Sequence, residues 1–198
     1  MRRTRAVWAA AVGVVALAGM TGCTHTHGGA GGLGTSATTA RVTASSSPTP
    51  SLDAQNAAEA ANKAAAISAY QHYFDVTQEV EQRPGMTGWE DEVLPLLGGD
   101  FLTYMTNFYT QAQEQGLRAT APEMLVSSTP VDYSSDPSGA GHEQVVLEVC
   151  IDATGSDLVL PDGSLDSTSS RGISIVTMQH QNGQWTVDKS EDKEDETC

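Results

Sequence analysis

Positive charge is scarce in this chain. Ten lysines and arginines stand against 25 aspartates and glutamates in 198 residues, a formal net charge of −15. Nucleic acid is bound by neutralising phosphates with lysine and arginine, so that class of partner is excluded. An anionic lipid surface repels such a chain, and any membrane attachment needs a hydrophobic cause. Cysteine is also scarce, three in all, with no paired-cysteine spacing that would hold zinc. A glycine-rich phosphate loop and a nucleophile elbow are both missing. His25 and His27 lie on a glycine-rich arm without a preorganised third ligand. The acidic run "EDKEDE" at 191–196 lacks the glycine-enforced turn and alternating oxygen ligands of a calcium loop. The sequence therefore calls for no metal and no cofactor.

Long apolar runs are missing as well. The longest, Ala6 to Met20, has 15 residues, short of the ~20 that a spanning helix needs. It follows the basic "MRRTR" and precedes "MTGC", which is the layout of a signal peptide ending in a lipobox. Met20 stands where leucine is usual. The expectation is a lipoprotein signal peptide over 1–22, a diacylglycerol on the Cys23 thiol, and an anchor on the outer face of the cell membrane. Two or more acyl chains hold stably where one does not. Residues 23–52 are rich in glycine, serine, threonine, alanine and proline. They cannot bury enough apolar surface to offset ordering entropy and read as a tether.

With Cys23 assigned to lipid, Cys150 and Cys198 remain. In an exported chain such a pair reads as a disulfide; a free thiol pair and an intermolecular bridge are the alternatives.

The domain, 53–198, divides by period. From Asp53 to Gln82 an alanine-rich start passes into a stripe of Ala66, Ile67, Tyr70, Tyr73, Phe74, Thr77 and Val80 at helical spacing, stopped by "RPG". Thr87 and Glu90 have capping-box spacing for a short helix carrying Trp89, Val93 and Leu96. Asp100 can cap a third helix with a stripe of Phe101, Met105, Phe108 and Ala112, ended by Gly116. The period then becomes two. "MLVSSTPVDY", "HEQVVLEVCID", "DLVL", "ISIVTMQH" and "WTVDK" read as strands, with Asn182-Gly183 as the hairpin turn between the last two. Three helices followed by hairpin strands imply an α+β domain, the helices packed on one face of a curved antiparallel sheet of four to five strands.

That order resembles the nuclear transport factor two-like, or cystatin-like (SnoaL-like), cone. It is most similar to a group of secreted lipoproteins of high-GC Gram-positive bacteria. The resemblance rests on the lipobox and tether, "QGLR" after the third helix, "VCIDATGSDLVLPDG", an "RG" entry to a strand, "NGQW" in a hairpin and a terminal cysteine. It covers roughly 60–198. It implies that Cys150 pairs with Cys198, and it implies no particular reaction.

Cone folds enclose a pocket between the first helix and the sheet, and the resemblance brings in cyclases, isomerases and dehydratases that place an Asp or His base there. Here Tyr70, Tyr73, Trp89, Tyr104 and Asp152 are the candidate pocket residues; His72, Asp75, Asp157 and His180 are further titratable candidates. None lies in a motif that transfers a catalytic role. Tyr70 and Tyr73 also read as core aromatics with polar tips, His72 and Asp75 as solvated, and Asp152 as a turn residue. The leading expectation is a non-catalytic protein binding an envelope partner or a small apolar ligand. Alternatives are a scaffold subunit of an envelope secretion or conjugation machine, and an enzyme using the pocket.

Overall fold

The computed structural model describes residues 51–136, 142–193 and 198. The signal segment, Cys23, the tether with His25 and His27, and residues 194–196 of the acidic run lie outside the described residues. The described residues form an α+β arrangement of three helices and two antiparallel sheets. No helix among them is long and apolar enough to cross a membrane.

Helix α1, Leu52–Glu81, starts at Ser51, whose hydroxyl accepts from the Ala54 N–H. Its first half is mostly exposed and rests on alanine's high propensity. The second half buries Ala66, Tyr70, Tyr73, Phe74, Thr77 and Val80. Pro84 opens a single 3₁₀ turn, Pro84–Met86, and ends the helix. The short α2, Trp89–Glu92, departs from expectation: its N-cap is Gly88 at φ 92°, and no side chain caps it. The capping box of Thr87 and Glu90 does not form. The space beside Gly88 is filled by the Arg83 guanidinium and the Glu92 carboxylate, which pair with each other (Nη2–Oε2 2.9 Å).

Helix α3, Gly99–Gln115, likewise starts without a side-chain cap. Asp100 lies inside its first turn rather than before it. Its buried stripe is Met105, Tyr109 and Ala112, with Phe101 and Phe108 half-buried, so Tyr109 takes the central place expected of Phe108. Gly116 closes the helix in the left-handed conformation (φ 70°), and buried Leu117 donates back to the Ala112 carbonyl at 2.8 Å.

The larger sheet runs β2 (Met124–Ser134), β3 (Gln144–Asp152), β6 (Arg171–Gln181) and β7 (Gln184–Asp192), all antiparallel neighbours in that order. Asn182 (φ 53°) and Gly183 (φ 80°) turn β6 into β7. The segment "DLVL" does not continue this sheet. After β3 the Asp152 carboxylate accepts from the Thr154 N–H, and Ser156 donates to the Ala121 carbonyl at 2.6 Å. These bonds turn the chain away, so β4 (Leu158–Val159) pairs with β1 (Arg118–Ala119) and β5 (Leu165–Ser167) in a separate small sheet.

All three helices contribute to one face of the larger sheet. Val145, Leu147 and Val149 of β3, Val176 and Met178 of β6, and Val187 of β7 pack with Tyr70, Val80, Trp89, Met105 and Tyr109. Each large apolar side chain so buried contributes about 1.5–3 kcal/mol. The sulfurs of Cys150 and Cys198 are at disulfide distance, with Cα atoms 6.0 Å apart. Cys150 alternates with Val149 and therefore faces away from the helices. Among the described residues, the Ser128 hydroxyl on edge strand β2 is buried without a partner.

Candidate functional site

The C-terminal half of α1, the first turns of α3 and one end of the larger sheet enclose a cleft of about 250 Å³. Helical spacing aims Tyr70, Tyr73, Thr77 and Glu81 of α1 into it. Phe101 and Tyr104 line it from α3, Ile151 from β3, Ser174 from β6, and Val187, Ser190 and Asp192 from β7. Glu123 reaches it from the residue before β2, where its backbone N–H donates to the Gln78 side chain at 2.6 Å. Ser174 and Asp192 meet through strand register and share a hydrogen bond of 2.8 Å.

Of the pocket residues expected from sequence, Tyr70, Tyr73 and Tyr104 come together here. Tyr70 and Tyr73 are only 3% and 8% exposed, whereas Tyr104 is 64% exposed at the mouth and stacks on Phe101 with ring centroids 5.9 Å apart. Trp89 and Asp152 do not line the cleft. Trp89 is buried, stacks on Tyr109 at 5.5 Å and donates to Gln113. Asp152 holds its turn and faces Arg171, and the Thr154 hydrogen bonds keep its carboxyl below the usual value. Of the further candidates, His72 and Asp75 are exposed, Asp157 accepts from the Ser169 N–H, and His180 lies 3.1 Å from the Glu143 carboxylate.

The residue that dominates the cleft, Glu81, was not among the sequence candidates. Its carboxyl is pushed up from 4.5 to about 7, first by burial and then by the negative charge of Glu123. A hydrogen bond from the Tyr109 hydroxyl, 3.0 Å, acts in the opposite direction. Glu81 is also the last residue of α1, where the helix dipole disfavours negative charge. Burial and position thus both oppose its ionisation. A signal for it exists in the sequence: Tyr70, Tyr73, Thr77 and Glu81 follow one another at three- and four-residue spacing, so the acid falls on the apolar stripe.

The cleft holds a second unusual feature. The hydroxyls of buried Tyr70 and Tyr73 make no hydrogen bond with any described residue. Burial comes first among the causes that push both phenols well above their ordinary value, so they stay protonated and can donate as well as accept. Two such hydroxyls lining one cleft together with the Glu81 carboxyl make a site that can hold a polar group. No group of described residues is arranged to hold a metal ion. No protein-family model matches the chain, and a search of curated proteins gives no match.

Proposed function

We propose that this chain is a lipid-anchored extracytoplasmic protein whose cone-like domain binds a small ligand in the cleft beneath α1. The order of three helices before an antiparallel sheet, and a cleft between the first helix and that sheet, support the cone reading. The lipobox sequence around Cys23 supports the anchor. The observation that carries binding is the pair of tyrosines, Tyr70 and Tyr73, mostly buried side chains that line the cleft and whose hydroxyls make no hydrogen bond with a described residue. A ligand would supply that partner. The volume of about 250 Å³ lies below the roughly 300–1,000 Å³ of drug-sized sites, so the ligand is small.

Native mass spectrometry of the protein released gently from its own membrane tests the reading. A stoichiometric adduct that disappears in Tyr70→Phe/Tyr73→Phe is expected; an adduct unaffected by that change, or none at all, refutes it. The anchor is tested separately. Cys23→Ser should move the protein out of the membrane fraction or leave it unprocessed, and an unchanged detergent-dependent fractionation contradicts it.

A second reading is favoured by Glu81 specifically. A carboxyl pushed up to about 7 beside two tyrosine donors has the poise of a general base. In that reading the cleft removes a proton next to a carbonyl held by the tyrosines. Solvent-deuterium incorporation into small cyclic ketones, lost in Glu81→Gln, would favour this reading over plain binding.

A further inference from the structure

We infer that a second site, separate from the cleft, takes a small organic carboxylate with a flat apolar body. A pocket of about 360 Å³ lies where the 3₁₀ turn, the end of α3, β1 and the turn after β4 meet. No residue lines both this pocket and the cleft. Arg118, which lines the pocket from β1, carries the inference. Five of the six lysines and arginines among the described residues have a carboxylate at ion-pair distance: Lys63, Arg83, Arg171, Lys189 and Lys193. Arg118 is the sixth. In a chain with 25 acidic residues, its guanidinium makes no ion pair or hydrogen bond with any described residue.

The walls come from segments distant in sequence. The pairing of β1 with β4 brings Arg118 to the turn that holds Pro161. Pro84 and Pro161 contribute rigid apolar rings. Gly85 (φ 62°) and Gly116 (φ 70°) line the pocket with backbone alone, and a Cβ on Gly116 would fall 2.7 Å from the Pro161 Cγ. Thr87 and Gln113 add hydrogen-bonding side chains. The Gln113 oxygen already accepts from the Trp89 indole N–H at 3.3 Å, which leaves its NH₂ group as a donor. No carboxylate is among the described lining residues. Glu92, near Thr87, is neutralised by Arg83, which also donates to the Thr87 carbonyl.

A guanidinium is a planar fork of N–H donors that meets a carboxylate through two parallel hydrogen bonds. The Thr87 hydroxyl and the Gln113 amide can donate to the same anion. An ammonium ligand would meet the like charge of Arg118. A phosphate dianion would find one cation for two charges, and the net −15 of the chain repels it more strongly than a monoanion. The proline rings offer the ligand's body apolar surface. A volume of about 360 Å³ lies toward the lower end of the roughly 300–1,000 Å³ of small-molecule sites, which suits a body of one ring.

Calorimetric titration of the full chain in detergent with benzoate, benzamide and inorganic phosphate tests the inference. Benzoate should bind, and benzamide and phosphate at least about tenfold more weakly, the difference that a hydrogen bond to a charged group makes. Arg118→Met keeps an unbranched stem at an exposed position; it should cut benzoate affinity about tenfold or more with Tm unmoved. Arg118→Lys keeps the charge without the fork and should restore part of that loss. Thr87→Val, also at an exposed position, should weaken benzoate severalfold and gives a check that does not touch β1. Benzoate binding that is unchanged in Arg118→Met would place the ligand in the micelle or elsewhere on the protein and overturn the inference. Benzamide binding as tightly as benzoate, phosphate binding more tightly, or no benzoate binding at millimolar concentration would overturn it too. The cleft and its ligand stand or fall separately, because the two sites share no residue.

Discussion

Glu81→Gln is the substitution from which the physical account of the cleft is most exposed to failure. In the unfolded chain the carboxyl titrates near 4.5, and in the fold it is pushed up to about 7. A group whose folded pKa is raised contributes fully below its unfolded pKa, and the contribution is lost as pH rises through the folded value. Between those two values the unfolded chain releases a proton that the folded chain keeps, so stability falls with pH. The full shift corresponds to about 3 kcal/mol. Because the cleft opens to solvent and Glu81 is only half-buried, roughly 1–3 kcal/mol is the expected range after screening. Glutamine keeps an oxygen able to accept from Tyr109 but cannot ionise. The variant should equal the wild type at pH 4.5, draw ahead between pH 5 and 7, and hold a constant lead above pH 8. Urea denaturation followed by tryptophan fluorescence, with both proteins at four pH values, measures this double difference. The other acidic groups are common to both proteins and largely cancel. A lead at pH 8 no larger than that at pH 4.5 would show that the carboxyl is solvated, and the reasoning about the cleft would be wrong.

Other perturbations test the frame around the cleft. The Cys150–Cys198 link spans 48 residues, for which chain entropy gives up to about 4 kcal/mol; reductant should lower Tm by roughly 10 °C, and an unmoved Tm would show the link absent or idle. Gly99 has φ 47°, and a Cβ there would fall within contact distance of all three carboxyl atoms of Asp188. Gly99→Ala should therefore cost at least about 1–2 kcal/mol from the backbone alone, partly restored by adding Asp188→Ala; a neutral Gly99→Ala in urea denaturation refutes the close approach. Ser128 buries an unpaired hydroxyl, so Ser128→Ala should be neutral or stabilising by up to about 1 kcal/mol; a loss above 1 kcal/mol means that the hydroxyl has a partner.

Much of the frame is legible in the chain because it depends on local periods. The α1 stripe, the glycine stop at Gly116 and the Asn182-Gly183 turn are short-range patterns, and each has its physical cause within a few residues. Edge strand β2 is less legible. Its register slips between Leu125 and Ser127 and again between Pro130 and Asp132, leaving Val126 and Val131 as extra, exposed residues. Each slip inverts the alternation, so Leu125, Ser128, Pro130 and Tyr133 pair opposite core-facing residues of β3 or lean on the core although the spacing across each bulge is not two. The bulges, with Pro130, also blunt an edge that could otherwise pair with another chain. The helix starts failed for a different reason. The space at the start of α2 is taken by Arg83 and by Glu92 of the same helix, a pair that is close in sequence but not at cap spacing, and the space at the start of α3 by the Asp188 carboxyl, which only the fold brings near.

The candidate site divides along the same line. Glu123 and Asp192 arrive at the cleft from opposite edges of the sheet, Asp192 only because it lies opposite Ser174 in the β6–β7 register. That juxtaposition needs the fold. Glu81 does not. A stripe read only for the residues that fit it runs from Ala66 to Val80 and stops; continued by its own period it lands on a carboxylate in the last helical turn. Burial raises the free energy of that charge, the helix dipole raises it further, and no basic residue lies in that turn to offset either. Helix stability would be served better by almost any other side chain there. A residue that local physics opposes, set beside two tyrosine hydroxyls that the fold leaves unpaired, is where a ligand-binding role is to be sought.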